Sequence, residues 1–162
     1  MTDKESFCEN IRLYEKSMYR VALSVVKNET DAEEVISESI YRAYKSRDSL
    51  KSESAFKPWI LRIVHNTAVE MIRQNSKIIP TDQPPEEIYE NGEKDITTKL
   101  ALRDAVNSLN QPYRTVIVLF YYENLSVSKI AQITSTSPIA VRKQLSRGRK
   151  MLRELLKEDF NN

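Results

Sequence analysis

Residues 126–151 read S-V-S-K-I-A-Q-I-T-S-T-S-P-I-A-V-R-K-Q-L-S-R-G-R-K-M, two short helical patterns with a break between them. Val127, Ile130, Ala131 and Ile133 give the first pattern one apolar face, and Ile139, Val141, Leu145, Met151, Leu152 and Leu155 give the second an approximately helical stripe. Thr134, Ser135 and Thr136 are weak helix formers. Ser137 then reads as an N-cap and Pro138 as the first helical residue, where a missing N–H costs nothing. The second helix carries Arg142, Lys143, Ser146, Arg147, Arg149 and Lys150, and no acid occurs between Asn124 and Arg153 to neutralise it. A basic run by itself is more often a solvated helix face. A capped break and a short preceding helix turn the reading toward a helix-turn-helix, whose second helix fits the major groove of DNA.

The rest of the chain agrees with an all-α protein. Among 162 residues there are two glycines and six prolines, and 30% are charged, yet the net charge is only +2, so the basic residues are concentrated rather than spread. Cys8 is the one cysteine, which excludes an intramolecular disulfide and assigns the thiol to packing on the first helix. The polar start of the chain is unlike a signal peptide, and no apolar run approaches a membrane span, which gives an expectation of a cytoplasmic protein with no direct membrane insertion. His65 is the one histidine; with no metal-ligand spacing and no glycine-rich phosphate loop, neither catalytic residues nor metal, cofactor or small-molecule substrate are expected.

Helical periodicity fails between Ser76 and Lys99, where Pro80, Pro84, Pro85 and Gly92 interrupt an acidic stretch. This predicts two small helical domains, 1–75 and 100–162, joined by a flexible acidic linker over 76–99. Phe7, Ile11, Tyr14, Met18, Ala22 and Val25 mark a first helix ending at Lys27-Asn28-Glu29. A capping box from Thr30 to Glu33 opens a second, and a third begins at Ser54 with Pro58 in its first turn. Phe56 and Trp59 read as core, although cations beside aromatics also suit single-stranded DNA. Tyr113, Phe120, Tyr121 and Tyr122 read as core or partly buried packing.

Two segments carry a wider resemblance. D-A-E-E-V-I-S-E-S-I-Y-R-A-Y (31–44) with A-F-K-P-W-I-L-R-I-V-H-N-T-A (55–68) resembles region 2 of the extracytoplasmic-function sigma factors, small bacterial sigma subunits of RNA polymerase. L-N-Q-P-Y-R-T-V-I-V-L-F-Y-Y-E-N-L-S-V-S-K-I-A (109–131) with V-R-K-Q-L-S-R-G-R-K-M-L (141–152) is similar to region 4. The resemblance covers nearly the full chain.

The resemblance implies a factor that directs core RNA polymerase to promoter DNA in response to extracellular stress and is restrained by an anti-sigma factor. It implies docking on polymerase through Asp31, Glu34, Val35, Glu38 and Arg42, with Val35, Ile36 and Ile40 shared between the docking surface and the core. Lys51, Ser52, Glu53, Ser54 and Asn66 would capture a flipped base of the melted minus-ten element. Arg142, Lys143, Ser146, Arg147 and Arg149 would bind the minus-thirty-five element, and the acidic linker would thread a polymerase channel. Thr134, Ser135 and Thr136 depart from the usual apolar-glycine-apolar turn, which implies a looser turn; Gln144 and Gly148 stand where arginine and alanine are common. Two other classes remain open from the residues alone: a stand-alone helix-turn-helix regulator, and a helical adaptor that binds only protein.

Overall fold

The computed structural model describes residues 3–77 and 98–160, and among these every regular element is helical. In the N-terminal half, α1 (Lys4–Val26), α2 (Glu29–Lys45) and α3 (Phe56–Lys77) pack against one another, with short 3₁₀ turns at Arg47–Ser49 and Glu53–Ala55. In the C-terminal half come α4 (Thr98–Ser108), α5 (Tyr113–Ile117) running into a π turn (Val118–Tyr122), α6 (Val127–Thr134) and α7 (Pro138–Phe160). The expected linker over 76–99 lies outside the described residues except at its ends, where Ser76 and Lys77 close α3 and Thr98 and Lys99 open α4.

The helix boundaries have local causes. Asp3 caps α1 through Ser6 N–H, and Lys27 ends it in the left-handed region at φ 62°, its N–H returning to the Leu23 carbonyl. The cap of α2 differs from the expected Thr30–Glu33 box. Asn28 Oδ1 accepts from Asp31 N–H at 2.8 Å while Asn28 Nδ2 donates to the Asp31 carboxylate at 2.9 Å, so the reciprocal pair sits two residues earlier. Asn28 wins because a short amide serves both the backbone donor and the side-chain acceptor.

The N-terminal core holds Met18, Val21, Ala22, Ala32, Val35, Ala43, Phe56, Ile60, Leu61, Val64 and Ala68, all without solvent exposure. Burying each of the large ones contributes roughly 1.5–3 kcal/mol. Phe56 is the hub of an aromatic cluster, with ring centroids of Phe7, Tyr14 and Trp59 at 6.2, 5.7 and 5.5 Å, which settles Phe56 as core. Trp59 is half-buried and donates from Nε1 to Ser49 Oγ. Tyr121 and Tyr122, expected to be packed, are 48% and 39% exposed, and Cys8 is an exposed free thiol rather than a packing residue.

The two halves do not stand apart. α1 and α3 pack on α5, the π turn and α6, and the apolar core runs on across the seam. Polar groups close it. The Ser24 carbonyl lies in the last turn of α1, where no intrahelical donor reaches it. It accepts from Arg114 Nε, from Gln111 Nε2 at 2.8 Å and, at 3.4 Å, from Thr115 Oγ1. Arg114 is itself buried and also donates to the Leu109 carbonyl. Directly after the π turn, the fully buried Glu123 carboxylate accepts from Arg20 Nε at 2.7 Å and lies 3.7 Å from Lys57 Nζ, which also donates to the Glu123 carbonyl.

Burial alone would raise the Glu123 pKa, but hydrogen bonds from Arg20 and Ser17 and the charges of Arg20 and Lys57 hold it below the ordinary 4.5. A depressed carboxylate pKa gives stability that is complete above the unfolded value and is lost as pH falls through the folded one. Packing of the halves is therefore expected to loosen below about pH 4.5, and small-angle scattering across pH 3–7 checks this. Glu123→Gln should lower unfolding stability by about 1–3 kcal/mol in denaturant titration and flatten that acid dependence.

Candidate nucleic-acid interface

α7 begins where the sequence places it. Ser137 Oγ accepts from Ala140 N–H at 3.1 Å, with Pro138 as the first helical residue. The turn before it is closed rather than loose. Ser135 takes φ 56°, and both its N–H and that of Thr136 return to the Ala131 carbonyl, while Thr134 Oγ1 donates to the Ile130 carbonyl and meets Thr136 Oγ1 at 3.0 Å. A serine in the left-handed region costs about 1 kcal/mol relative to glycine, and this hydroxyl and backbone network offsets it.

Successive helix residues turn by about 100°, so Val141, Leu145, Gly148 and Leu152 form one line along α7, and all four are buried. The opposite line is Ile139, Lys143, Ser146 and Lys150, all exposed. Arg147 and Arg142, also exposed, flank this outer line on its two sides. Arg149 sits near the buried edge, where its Nη1 donates to Tyr121 Oη at 3.1 Å. The structure thus gathers Lys143, Ser146 and Arg147 on one basic surface, adds Lys150 to it, and turns Arg149 toward a hollow lined by Leu102, Tyr121, Tyr122 and Leu156. Ile139 also departs from expectation: placed in the apolar stripe by its spacing, it is 63% exposed.

In the N-terminal half, Lys51, Ser52, Glu53 and Ser54 are exposed in the turn leading into α3, with Ser52 Oγ 3.1 Å from Ser54 Oγ. Asn66 is exposed on α3, ten residues after Phe56 and so about 15 Å along the axis. The neighbouring His65 faces the seam, beside Val69, Gln111, Thr115 and Gln144 around a hollow of about 370 Å³. Burial pushes its imidazole below the ordinary value, against a contact with Asn66 that raises it.

The surface of α2 differs from expectation at Val35, which is fully buried and offers no surface to a partner. Ile36 and Ile40 are half-buried, packed on the core and lining an open hollow with Glu15, Lys16, Tyr19 and Glu33. Asp31 is engaged in the α2 cap, and Arg42 bridges Glu38 at 3.0 Å and Glu70 of α3 at 2.9 Å. Glu34 is exposed, with no ion pair among the described residues. Among those residues there is no cluster of His, Cys, Asp and Glu fit to hold a metal ion, and no helix long and apolar enough to cross a membrane.

The family model of sigma-70 region 2 matches residues 11–78 and that of sigma-70 region 4 matches residues 99–152. The RNA polymerase sigma factor SigV of Bacillus subtilis is 32% identical over 149 residues, 91% of this chain and 90% of SigV. The ECF RNA polymerase sigma factor SigW of the same organism is 26% identical, covering 96% of this chain and 91% of SigW. The chain belongs to the extracytoplasmic-function sigma factors. Their members are transcription initiation factors. The sigma factor RpoE of Bartonella quintana, solved with the anti-sigma factor NepR, shares this sigma factor's fold at TM-score 0.73 and 23% identity, covering 94% of this chain and 98% of that one. CnrH, solved with the cytosolic domain of CnrY, does so at 0.69 and 21%, covering 97% and 91%.

Within this sigma factor, Gly148 explains how region 4 holds its basic helix. A Cβ there would lie 3.1 Å from Ile117 Cγ1 and 3.2 Å from its Cδ1, so α7 and α5 touch because the side chain is absent. Gly148→Ala should change stability by less than about 1 kcal/mol, since the helix gain of about that size offsets a small shift of Ile117. Gly148→Leu should cost about 1–3 kcal/mol by overpacking. Thermal unfolding of the two variants checks the contrast.

Proposed function

We propose that this sigma factor carries core RNA polymerase to promoters, region 4 gripping the upstream element and region 2 acting on the melted strand. The observation that carries the reading is the outer face of α7: Arg142, Lys143, Ser146, Arg147 and Lys150 exposed together, on a helix with no acid before Glu154. Arg147 and Lys143 are assigned to base edges and phosphates of the minus-thirty-five element. Lys51 to Ser54 and Asn66 are assigned to successive nucleotides of the minus-ten element, and Glu34 with Ile36 and Ile40 to polymerase docking. The chain supplies recognition and strand opening while chemistry stays with the polymerase, so it is not an enzyme, and its place of work is the cytoplasm. The neighbour solved with an anti-sigma factor supports restraint of this chain by such a partner until an extracellular stress is sensed.

The packed seam adds a condition. Elements named for positions 10 and 35 lie about 25 base pairs apart, on the order of 85 Å at about 3.4 Å each. Regions whose side chains ion-pair directly cannot reach both. The 20 residues between Lys77 and Thr98 extend at most about 70 Å, which together with the breadth of the two regions suffices once the seam opens. Binding of core polymerase is assigned that opening.

Mobility-shift assays with and without core polymerase separate the readings. A sigma factor shows strong promoter binding only with core, a stand-alone regulator shows it without, and an adaptor shows none. With core present, Arg147→Ala should weaken upstream binding and flatten its salt dependence, because fewer counterions are released. Asn66→Ala should spare duplex binding and slow strand opening, followed by permanganate reactivity of unpaired thymines. Wild-type behaviour of both variants defeats the division of labour. Glu34→Lys should weaken capture by core with helicity unchanged in circular dichroism, and native capture rejects that docking face.

A further inference from the structure

Among the described side chains of α7, Ile139 is the large apolar one that the fold leaves without an internal role. It is 63% exposed, at the second helical position after the Ser137 cap, and heads the outer line that continues through Lys143, Ser146 and Lys150. Its three companions are polar or cationic, suited to phosphates and base edges. Its backbone belongs to the first turn of the second helix of a helix-turn-helix, the turn that reaches deepest toward base edges in the major groove.

An isoleucine there offers no donor or acceptor, so it cannot read the hydrogen-bonding pattern of a base pair. The major groove presents one apolar group, the C5-methyl of thymine. We propose that Ile139 is a specificity residue of region 4 that packs on a thymine methyl in the upstream promoter element. The inference rests on the assignment of α7 to that element. Lys143, Arg147 and Lys150 hold the helix in the groove through phosphates and base edges, and Ile139 makes one position of the site prefer thymine over cytosine, which lacks the methyl. The same contact explains exposure of the side chain in the free protein: its partner surface arrives with the DNA.

The test uses the full chain with core polymerase. Upstream sequences are selected from a duplex pool randomised over that element, and each thymine of the winning sequence is then replaced singly by deoxyuridine, which removes the methyl and nothing else. For wild type, one replacement should weaken binding about fourfold, the worth of withdrawing one methyl-sized group from water. With Ile139→Ala, and independently with Ile139→Ser, thymine and deoxyuridine at that position should bind alike, while Lys143→Ala keeps the wild-type preference and shows a shallower salt dependence. Absence of any deoxyuridine-sensitive position in wild type, or an unchanged preference in both Ile139 variants, overturns the proposal. So does a loss in those variants that is equal for thymine and deoxyuridine, which would put Ile139 against polymerase or another protein. Failure of the wild type to enrich any upstream sequence would instead defeat the assignment of α7 to the promoter.

Discussion

The buried carboxylate of Glu123 governs how the two halves of this protein sit together. A charge without solvent contact is costly unless it is met by opposite charge and hydrogen bonds, and the groups that meet it, Arg20 and Lys57, come from the other half. The Ser24 carbonyl shows the same dependence in reverse. It lies at the negative end of the α1 dipole, and its donors, with the Arg114 cation foremost, come from region 4. Each half leaves unmet the polar groups that the other satisfies.

A seam closed this way differs from a wholly apolar one. When the halves part, the apolar core that runs across the seam is exposed, but water can solvate Arg20, Lys57, Glu123 and the Ser24 carbonyl, so part of what separation exposes hydrates well. An apolar interface of the same extent would lose its whole contribution to water. Arg20 and Lys57 already keep part of their surface in solvent, with side-chain exposures of 42% and 26%, so their hydration is only partly surrendered on closing. Such a seam holds the free protein packed and would yield to a partner that binds the separated halves better, as the proposed reach to two distant DNA elements requires.

The sequence revealed what depends on neighbours in the chain and concealed what depends on distant ones. Helical spacing located α1, α2, α3, α6 and α7, and Ser137 with Pro138 located the start of α7, because a cap and a period are written within a few residues. The α2 cap was misplaced by two residues because Thr30–Glu33 and Asn28–Asp31 are both reasonable local signals, and the better side-chain geometry of Asn28 decided between them. Ile139 shows the limit of periodicity: it precedes the point where α7 meets the core, and spacing alone treats it as a stripe residue. Val35 is fully buried, and it was the resemblance rather than the spacing that gave it a share in docking. The seam was not legible at all: Arg20 and Glu123 are 103 residues apart and each reads as an ordinary surface charge.

Salt acts on this protein in two places with opposite consequences for promoter binding. It weakens the Arg20–Glu123 attraction, which favours the opened arrangement, and it would weaken the phosphate contacts proposed for the α7 cations. The first effect is small, because a carboxylate without solvent exposure is poorly reached by ions and contributes one screened interaction. The second grows with the number of phosphates neutralised, log affinity falling by about 0.9 per contact for each tenfold rise in salt. Four cations on the outer surface of α7, Arg142, Lys143, Arg147 and Lys150, outweigh one shielded pair. On the proposed assignment of α7, binding to DNA would therefore be lost as salt rises even though the seam loosens, and opening would fall to polymerase contact rather than to ionic conditions.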